Sequence, residues 1–360
     1  MISNQILQNT LDGLKNITHA NMCICNSAGK PVATTFDLTS EFSSQIGDFI
    51  LSQSDSGIID GYQCTKLPDD GHASYVMVIE ASAGSTVVSL ANFQIQNMLV
   101  AYQERFDRDN FVKNLLLDNL LLVDIYNRAK KLNIETSAKR CVYIVEANAD
   151  TKINVTETVE SLFPNKNKDF VTAVDEKDTI LIKDVGDNWE ADSLEKNAVM
   201  IIEELKNAGV DDLRVAYGTV INEIKEVSKT YKEAKMSLEV GKIFYEKRDI
   251  VGYTRLGIGR LIYQLPIPLC KMFLKETFDG HNPDELDEET LTTVDKFFEN
   301  SLNVSETSRQ LFIHRNTLVY RIDKLQKATG LDLRVFDDAI TFKIAMMVGK
   351  YMNYMETQEF

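Results

Sequence analysis

No stretch of this chain is apolar for the roughly 20 residues that a membrane-spanning helix needs. The N-terminal MISNQILQNTLDGLKNI is amphipathic and lacks a cationic start. It therefore predicts neither signal peptide nor span and points to the cytoplasm, with no membrane partner. Cysteine is scarce: Cys23, Cys25, Cys64, Cys141 and Cys270 fit no disulfide framework, so free thiols in a reducing compartment are expected. No pair of them has the C-x₂-C spacing of a zinc site, which predicts no metal. Cys23 and Cys25 alternate onto one face of a strand, with His19, Cys64 and His72 nearby in sequence. Buried apolar thiols outweigh a redox or metal sensor there. Positive charge is also short, 39 Lys and Arg against 54 Asp and Glu, for a net −15. So acidic a surface repels nucleic acid as a whole, and any DNA contact must be concentrated. Residues 1–104 contain no arginine and only Lys15, Lys30 and Lys66. Carboxylate ligands are usually gripped by arginine forks or helix N-termini, and only the latter are freely available there.

What is present is a 360-residue chain, 44% apolar, enough for two or three domains with real cores. Its charge reverses sign in one place. Residues 300–334 hold six Lys or Arg against three acids, a local +3 that leaves −18 for the rest. This is the footprint expected where phosphates are neutralised. The stretch reads VSETSRQLFIHRNTLVYRIDKLQKATGLDLR from Val304. Ser305 is the expected N-cap of a short helix, Glu306–Phe312. Ile313 and His314 make a bend, and a second helix runs to about Ala328, ahead of Gly330. Leu318, Ile322 and Leu325 face inward at spacings of four and three. Arg315, Asn316, Tyr320, Arg321 and Lys324 are left outside. A helix-turn-helix requires this, though an ordinary amphipathic helix pair would share the spacing.

LFIHRNTLVYRIDKLQKATGLDLR closely resembles the C-terminal helix-turn-helix of the sugar-diacid and purine-catabolism regulators, the CdaR/PucR family. LF-HRNTL-YR and TGLDLR are its most specific pieces, and the likeness extends over roughly Thr290–Tyr351. Ser308 departs from it, where the family carries a small apolar residue, which predicts slightly looser packing between the two helices. The resemblance implies control of a catabolic operon, often by activation. It also implies a DNA-binding surface of Ser305, Thr307, Arg309, His314, Arg315, Asn316, Thr317, Tyr320, Arg321 and Lys324. Arg315 suits guanine or a phosphate, and Asn316 suits adenine or a cap on its own helix. Arg321 and Lys324 suit phosphates, Tyr320 a sugar-phosphate or thymine methyl, and His314 a backbone contact or turn packing.

Upstream, residues 1–104 read as a small α/β unit. A first helix has Ile2, Ile6, Leu14 and Ile17 on one face. A hairpin with its turn at Asn26–Lys30 follows, then a helix near Glu41–Ser52 and strands near 61–66 and 74–81. The arrangement suggests a PAS- or GAF-like sensory domain, or a dimerisation domain without ligand. A helix from Gly84 to about Asn119 places Ile95, Leu99, Tyr102 and Phe106 at seam spacing, for pairing two protomers or packing on its own domain. Residues 110–260 resemble the family's degenerate GGDEF-like α/β domain, RVAYGTVINEIKEVSKTYKEAKMSLEVGK being its closing third. Strands are expected at 140–146, 170–175, 179–184, 213–219 and 250–253, with helices at 191–208 and 223–244. An active cyclase would need a glycine-rich hairpin and metal carboxylates. The hairpin here is VDEKDTI, so Asp175, Glu176 and Asp178 read as solvated turn acids and no cofactor is expected. Gly257-x-Gly259 is too sparse for a phosphate loop. The acidic run 281–290 reads as a solvated linker or a helix start leading into the DNA-binding domain, residues 284–360, whose first helix spans Thr290–Glu299.

The fold class expected is thus α/β plus all-α, in three domains: a sensory unit, a degenerate GGDEF-like unit and a helix-turn-helix. The function expected is a non-enzymatic, ligand-responsive regulator binding a double-stranded operator as a homodimer or higher oligomer. A sugar acid, amino acid or purine would be its effector. A nucleotide-cyclising enzyme and a protein-interaction module are the alternatives from other classes.

Overall fold

The computed structural model describes all residues except 1, 70–71, 149–150, 152, 166, 176, 279–286 and 359–360. The chain forms two compact units, Met1–Asn114 and Leu115–Phe360. Residues 279–286 include most of the acidic run, whose expected linker role therefore lies outside the described residues.

In the first unit, α1 (Asn4–Thr18) starts where the Ser3 hydroxyl accepts the Ile6 amide. Its inward face is centred on Leu7 and Leu11, four apart and fully buried. Ile17, expected on that face, is 80% exposed, because the stripe runs half a turn away from it. Next come β1 (Met22–Asn26), β2 (Pro31–Thr34), α2 (Ser40–Leu51), β3 (Ser56–Ile59), β4 (Tyr62–Asp69), β5 (His72–Glu80) and the long α3 (Ser85–Leu116). The strands form an antiparallel sheet in the order β2-β1-β5-β4-β3. Strand alternation gives it two buried faces. Met22, Ile24, Met77 and Ile79 pack with α1 and α3, while Cys23, Cys25, Val76 and Val78 pack with Phe42, Ile46 and Phe49 of α2. Cys64 joins the second face, and burial pushes its thiol up to about 12. Cys23 and Cys25 lie with their sulfurs 3.6 Å apart, both fully buried, as packing groups. Ile95 and Leu99 of α3 belong to the core of their own unit, so they are not available as a seam between protomers.

The second unit begins with α4 (Leu122–Lys131), then β6 (Arg140–Ala147), α5 (Val155–Leu162), β7 (Phe170–Ala173), β8 (Asp178–Asp184), α6 (Ala191–Asn207), β9 (Leu213–Tyr217), α7 (Val227–Phe244) and β10 (Ile250–Gly252). The sheet order is β10-β9-β6-β8-β7, parallel only between β10 and β9. Tyr143, Val145 and Leu181 pack with Leu194, Ala198 and Ile201 of α6, and α7 covers β6 and β9 on the other face. The expected strands and long helices are present, while α5 and β3 had no signal strong enough to place them. Gly259, half of the sparse G-x-G, starts a short helix in which an added Cβ would lie 3.0 Å from the Phe244 ring. That glycine serves packing.

Helices α8 (Gly259–Tyr263), α9 (Ile267–Thr277), α10 (Glu288–Glu299), α11 (Val304–Gln310), α12 (Arg315–Thr329) and α13 (Phe336–Gln358) follow. Val348 and Tyr351 of α13 share one core with Ile243 of α7, Ile262 of α8 and Cys270 of α9. The α/β body and the C-terminal helices are therefore welded by apolar burial. Among the described residues, no helix is long and apolar enough to cross a membrane, and no cluster of His, Cys, Asp and Glu is arranged to hold a metal ion.

Candidate nucleic-acid interface

The C-terminal core is built by Val294 and Phe297 of α10, Leu318, Ile322 and Leu325 of α12, and Ala339, Phe342 and Ala345 of α13. The 4-3 spacing on α12 turns its opposite face outward, as its sequence predicts. Helix α11 starts two residues earlier than Ser305 would allow. Asn303 is the cap, its Oδ1 accepting the Glu306 amide at 3.0 Å. Ser301 and Leu302 precede it with φ of 54° and 62°, a pair of left-handed residues that aims Asn303 at the helix. The helix stops at Gln310. Phe312 follows in the left-handed region, φ 54°, with its amide bonded to the Arg309 carbonyl and its side chain 95% exposed. Ile313 then tucks into the core, and His314 caps α12 through Nδ1, which accepts the Asn316 amide at 3.2 Å. His314 is thus a turn-forming residue at the mouth of α12. Because it is the cap, Asn316 is not, and the Asn316 side chain is exposed.

Among the ten residues expected to face DNA, three groups separate. Ser305, His314, Arg315, Asn316, Thr317 and Tyr320 are exposed around the N-terminal half of α12 and the start of α11. Arg315 has no side-chain partner among the described residues. Thr307 is fully buried, its hydroxyl donating to the Asn303 carbonyl at 2.8 Å, so it braces α11 and cannot reach a groove. Ser308 is also buried and donates to the Ser305 carbonyl at 3.0 Å. The polar residue at the family's apolar position is therefore satisfied within its own turn. The third group consists of cations already paired. Arg321 donates to the Thr293 hydroxyl at 2.9 Å and forms an ion pair with Glu289, leaving its side chain 16% exposed. Lys324 pairs with Asp287, and the bond holds that carboxyl well below the usual carboxylate range. Both clamp α12 onto α10, contrary to the expected role as free phosphate ligands. Arg309 pairs with Glu306 one turn back, at 2.6 Å, but stays largely exposed. Sequence spacing placed Arg321 and Lys324 off the inward stripe of Leu318, Ile322 and Leu325. It could not show that α10 brings two carboxylates against them.

The β7–β8 turn, where a cyclase would bind nucleotide, folds around its own acids. Asp175 Oδ1 accepts the amides of Lys177 and Asp178 at 3.0 and 2.8 Å. Asp178 is not solvated as expected. Burial, then the charges of Asp175 and Glu146, push its carboxyl up to about 6. Behind it, Lys242 bridges Glu146 at 2.6 Å and Glu239 at 3.0 Å, and the Tyr354 hydroxyl of α13 donates to Glu239. A carboxyl with a raised native pKa keeps a proton that the unfolded chain has lost, so its contribution to stability falls as pH rises through about 6. Asp178→Asn is expected to raise stability at pH 7.5 by about 1 kcal/mol after allowance for solvent screening. The gain should vanish near pH 4, and denaturant unfolding at the two pH values checks the sign.

Residues 290–348 match the PucR C-terminal helix-turn-helix domain, and residues 119–240 match the GGDEF-like domain. The carbohydrate diacid regulator of Escherichia coli (strain K12) is 25% identical over 270 residues, 70% of this chain and 68% of that protein. The DNA-binding transcriptional activator AdeR of Bacillus subtilis (strain 168) is 23% identical over 61% of this chain and 53% of its own length. The purine catabolism regulatory protein of Bacillus subtilis (strain 168) is 22% identical over 48% of this chain. There the match spans only 33% of the relative's length. The likeness is carried by both the helix-turn-helix and the α/β body, and the chain belongs to the CdaR/PucR family of DNA-binding transcriptional regulators.

Proposed function

We propose that the chain is a ligand-responsive regulator of a catabolic operon that grips a two-half-site operator as a homodimer, with α12 as the reader helix. The observation that carries this is the sorting of side chains on α12. Its N-terminal turn presents Arg315, Asn316 and Thr317 exposed, while Arg321 and Lys324 farther along are paired with Glu289 and Asp287 at the start of α10. A reader helix enters the major groove with its N-terminal residues first. Arg315 has the geometry to bridge guanine O6 and N7, and Asn316 to pair with adenine. Tyr320, 69% exposed, and Phe312 flank that turn and suit sugar or methyl contacts. Arg309, Ser305 and His314 suit the phosphate backbone.

The N-terminal unit is the effector domain in this reading. A five-stranded sheet ordered β2-β1-β5-β4-β3 with helices on both faces supports a PAS- or GAF-like sensor. The absence of arginine from residues 1–104, which include the whole sheet, favours a neutral or zwitterionic effector over a dianion. The GGDEF-like body transmits and does not cyclise. Its turn lacks a glycine pair, and Glu146 and Glu239 are bound to Lys242.

Footprinting on the DNA flanking the gene tests the whole reading. Two protected half-sites with centres about 34 Å apart, or a multiple, are expected. Affinity should fall log-linearly with salt while sequence preference persists. Protection indifferent to sequence would overturn it, as would turnover of GTP with magnesium.

A further inference from the structure

Two stripes run along α3, and only one is used by the fold. Ala91, Ile95 and Leu99 face the sheet of their own unit. On the other side Thr86, Leu90, Phe93, Asn97, Val100 and Glu104 are all exposed, at spacings of four, three, four, three and four. Leu90, Phe93 and Val100 are 63%, 65% and 49% exposed, large apolar groups aligned over about 15 Å of helix. Alternating fours and threes is the period of a coiled-coil seam, with Leu90, Asn97 and Glu104 at one class of position and Phe93 and Val100 at the other.

Charge identifies the occupant. Ser85–Gln103 contains no Asp, Glu, Lys or Arg, in a chain that is 26% charged and carries −15. When two identical surfaces meet about a two-fold axis, each charge tends to meet its own kind. A neutral face is therefore the one on which this acidic chain can meet itself without repulsion. Asn97 adds orientation. A lone asparagine inside an apolar seam satisfies its amide against its own twin, which fixes a parallel, in-register pair of two strands. Glu104 then places like charges opposite each other, which marks where the seam ends.

We propose that a second copy of this chain docks here, α3 against α3, parallel and in register through Leu90, Phe93, Asn97 and Val100. The inference rests on the homodimer in the functional reading and names the face that makes it.

Because all five native cysteines are buried, a single engineered thiol can report the pairing. Leu90→Cys, Asn97→Cys and Val100→Cys are made in the full chain and exposed to mild oxidant, with the exposed Ser54→Cys as the control. Each of the three should form an intermolecular disulfide at least tenfold faster than the control. Phe93→Glu should weaken the dimer at least tenfold in sedimentation while leaving the far-ultraviolet spectrum unchanged. Crosslinking at only one of the three positions would overturn the parallel register. A wild-type dimer with no crosslinking above control, and undisturbed by Phe93→Glu, would overturn the face and leave the dimer standing. A wild-type chain that is monomeric at micromolar concentration would overturn both. Sequence-preferring DNA binding by that monomer would still leave the reader-helix assignment intact.

Discussion

Arg315→Ala is expected to lower specific operator affinity by about 1–3 kcal/mol, roughly tenfold to more than a hundredfold, while the melting temperature stays unchanged. The side chain is exposed and has no partner among the described residues, so its removal costs the free protein nothing. Arg321→Ala should behave in the opposite way. Its guanidinium spans Glu289 and the Thr293 hydroxyl, and Thr293 itself is 1% exposed. Removing it takes away one polar tie between α12 and α10, whose shared apolar core remains, and is expected to cost about 1 kcal/mol of stability. The two variants separate in the salt dependence. A phosphate ligand contributes close to one unit to the slope of log affinity against log salt. Arg321→Ala should leave that slope at the wild-type value, and a slope reduced by about 0.9 would return Arg321 to the phosphate-binding role that spacing alone suggests. An Arg315→Ala protein that retains the footprint would remove Arg315 as a reader. Binding titrations at four salt concentrations, paired with thermal melts, give both answers.

The contrast shows what sequence carries and what it leaves out. Leu318, Ile322 and Leu325 were legible because helical periodicity is local, and all three are buried. The order of strands and long helices from Arg140 to Gly252 was legible for the same reason. The partners of Arg321 and Lys324 were not, since Glu289 and Asp287 lie more than thirty positions away and only tertiary packing brings them close. The cap of α11 was missed because Asn303 and Ser305 are equally good capping types. The choice between them depends on two left-handed residues, Ser301 and Leu302, that no propensity would assign there. On α3, apolar residues at period 3.5 cover more than one face. Whether the stripe of Ile95 and Leu99 packs on its own domain or pairs two protomers stayed open, because the sheet that claims both residues is not visible in the helix's own sequence.

Gly218→Ala is expected to be the most damaging small substitution in the second unit. Gly218 follows β9 directly, where its amide donates to the Val142 carbonyl and its carbonyl receives the Cys141 thiol. A Cβ there would lie 2.3 Å from the Thr230 carbonyl oxygen and 2.4 Å from the Thr230 hydroxyl. Neither neighbour can give way. Thr230 is fully buried, its hydroxyl donates to the Thr219 carbonyl at 2.7 Å, and Glu233 accepts the Thr219 amide at 2.8 Å. The clash must push α7 off the sheet, at about 3 kcal/mol or more. Gly349→Ala in α13 provides the control, since an added Cβ there meets nothing within 4 Å. It should instead stabilise by about 0.5–1 kcal/mol, by relieving the entropic cost of a helical glycine. The damage at Gly218 should not stop at the α/β body. Ile243 of α7 and Val348 of α13 occupy one core, and Tyr354 reaches Glu239 from the far end of the reader domain. A displaced α7 should therefore melt the helix-turn-helix with it, in a single transition whose loss of helicity and loss of operator binding coincide. Two transitions, with operator binding surviving the first, would show that the shared core does not couple the GGDEF-like body to the reader.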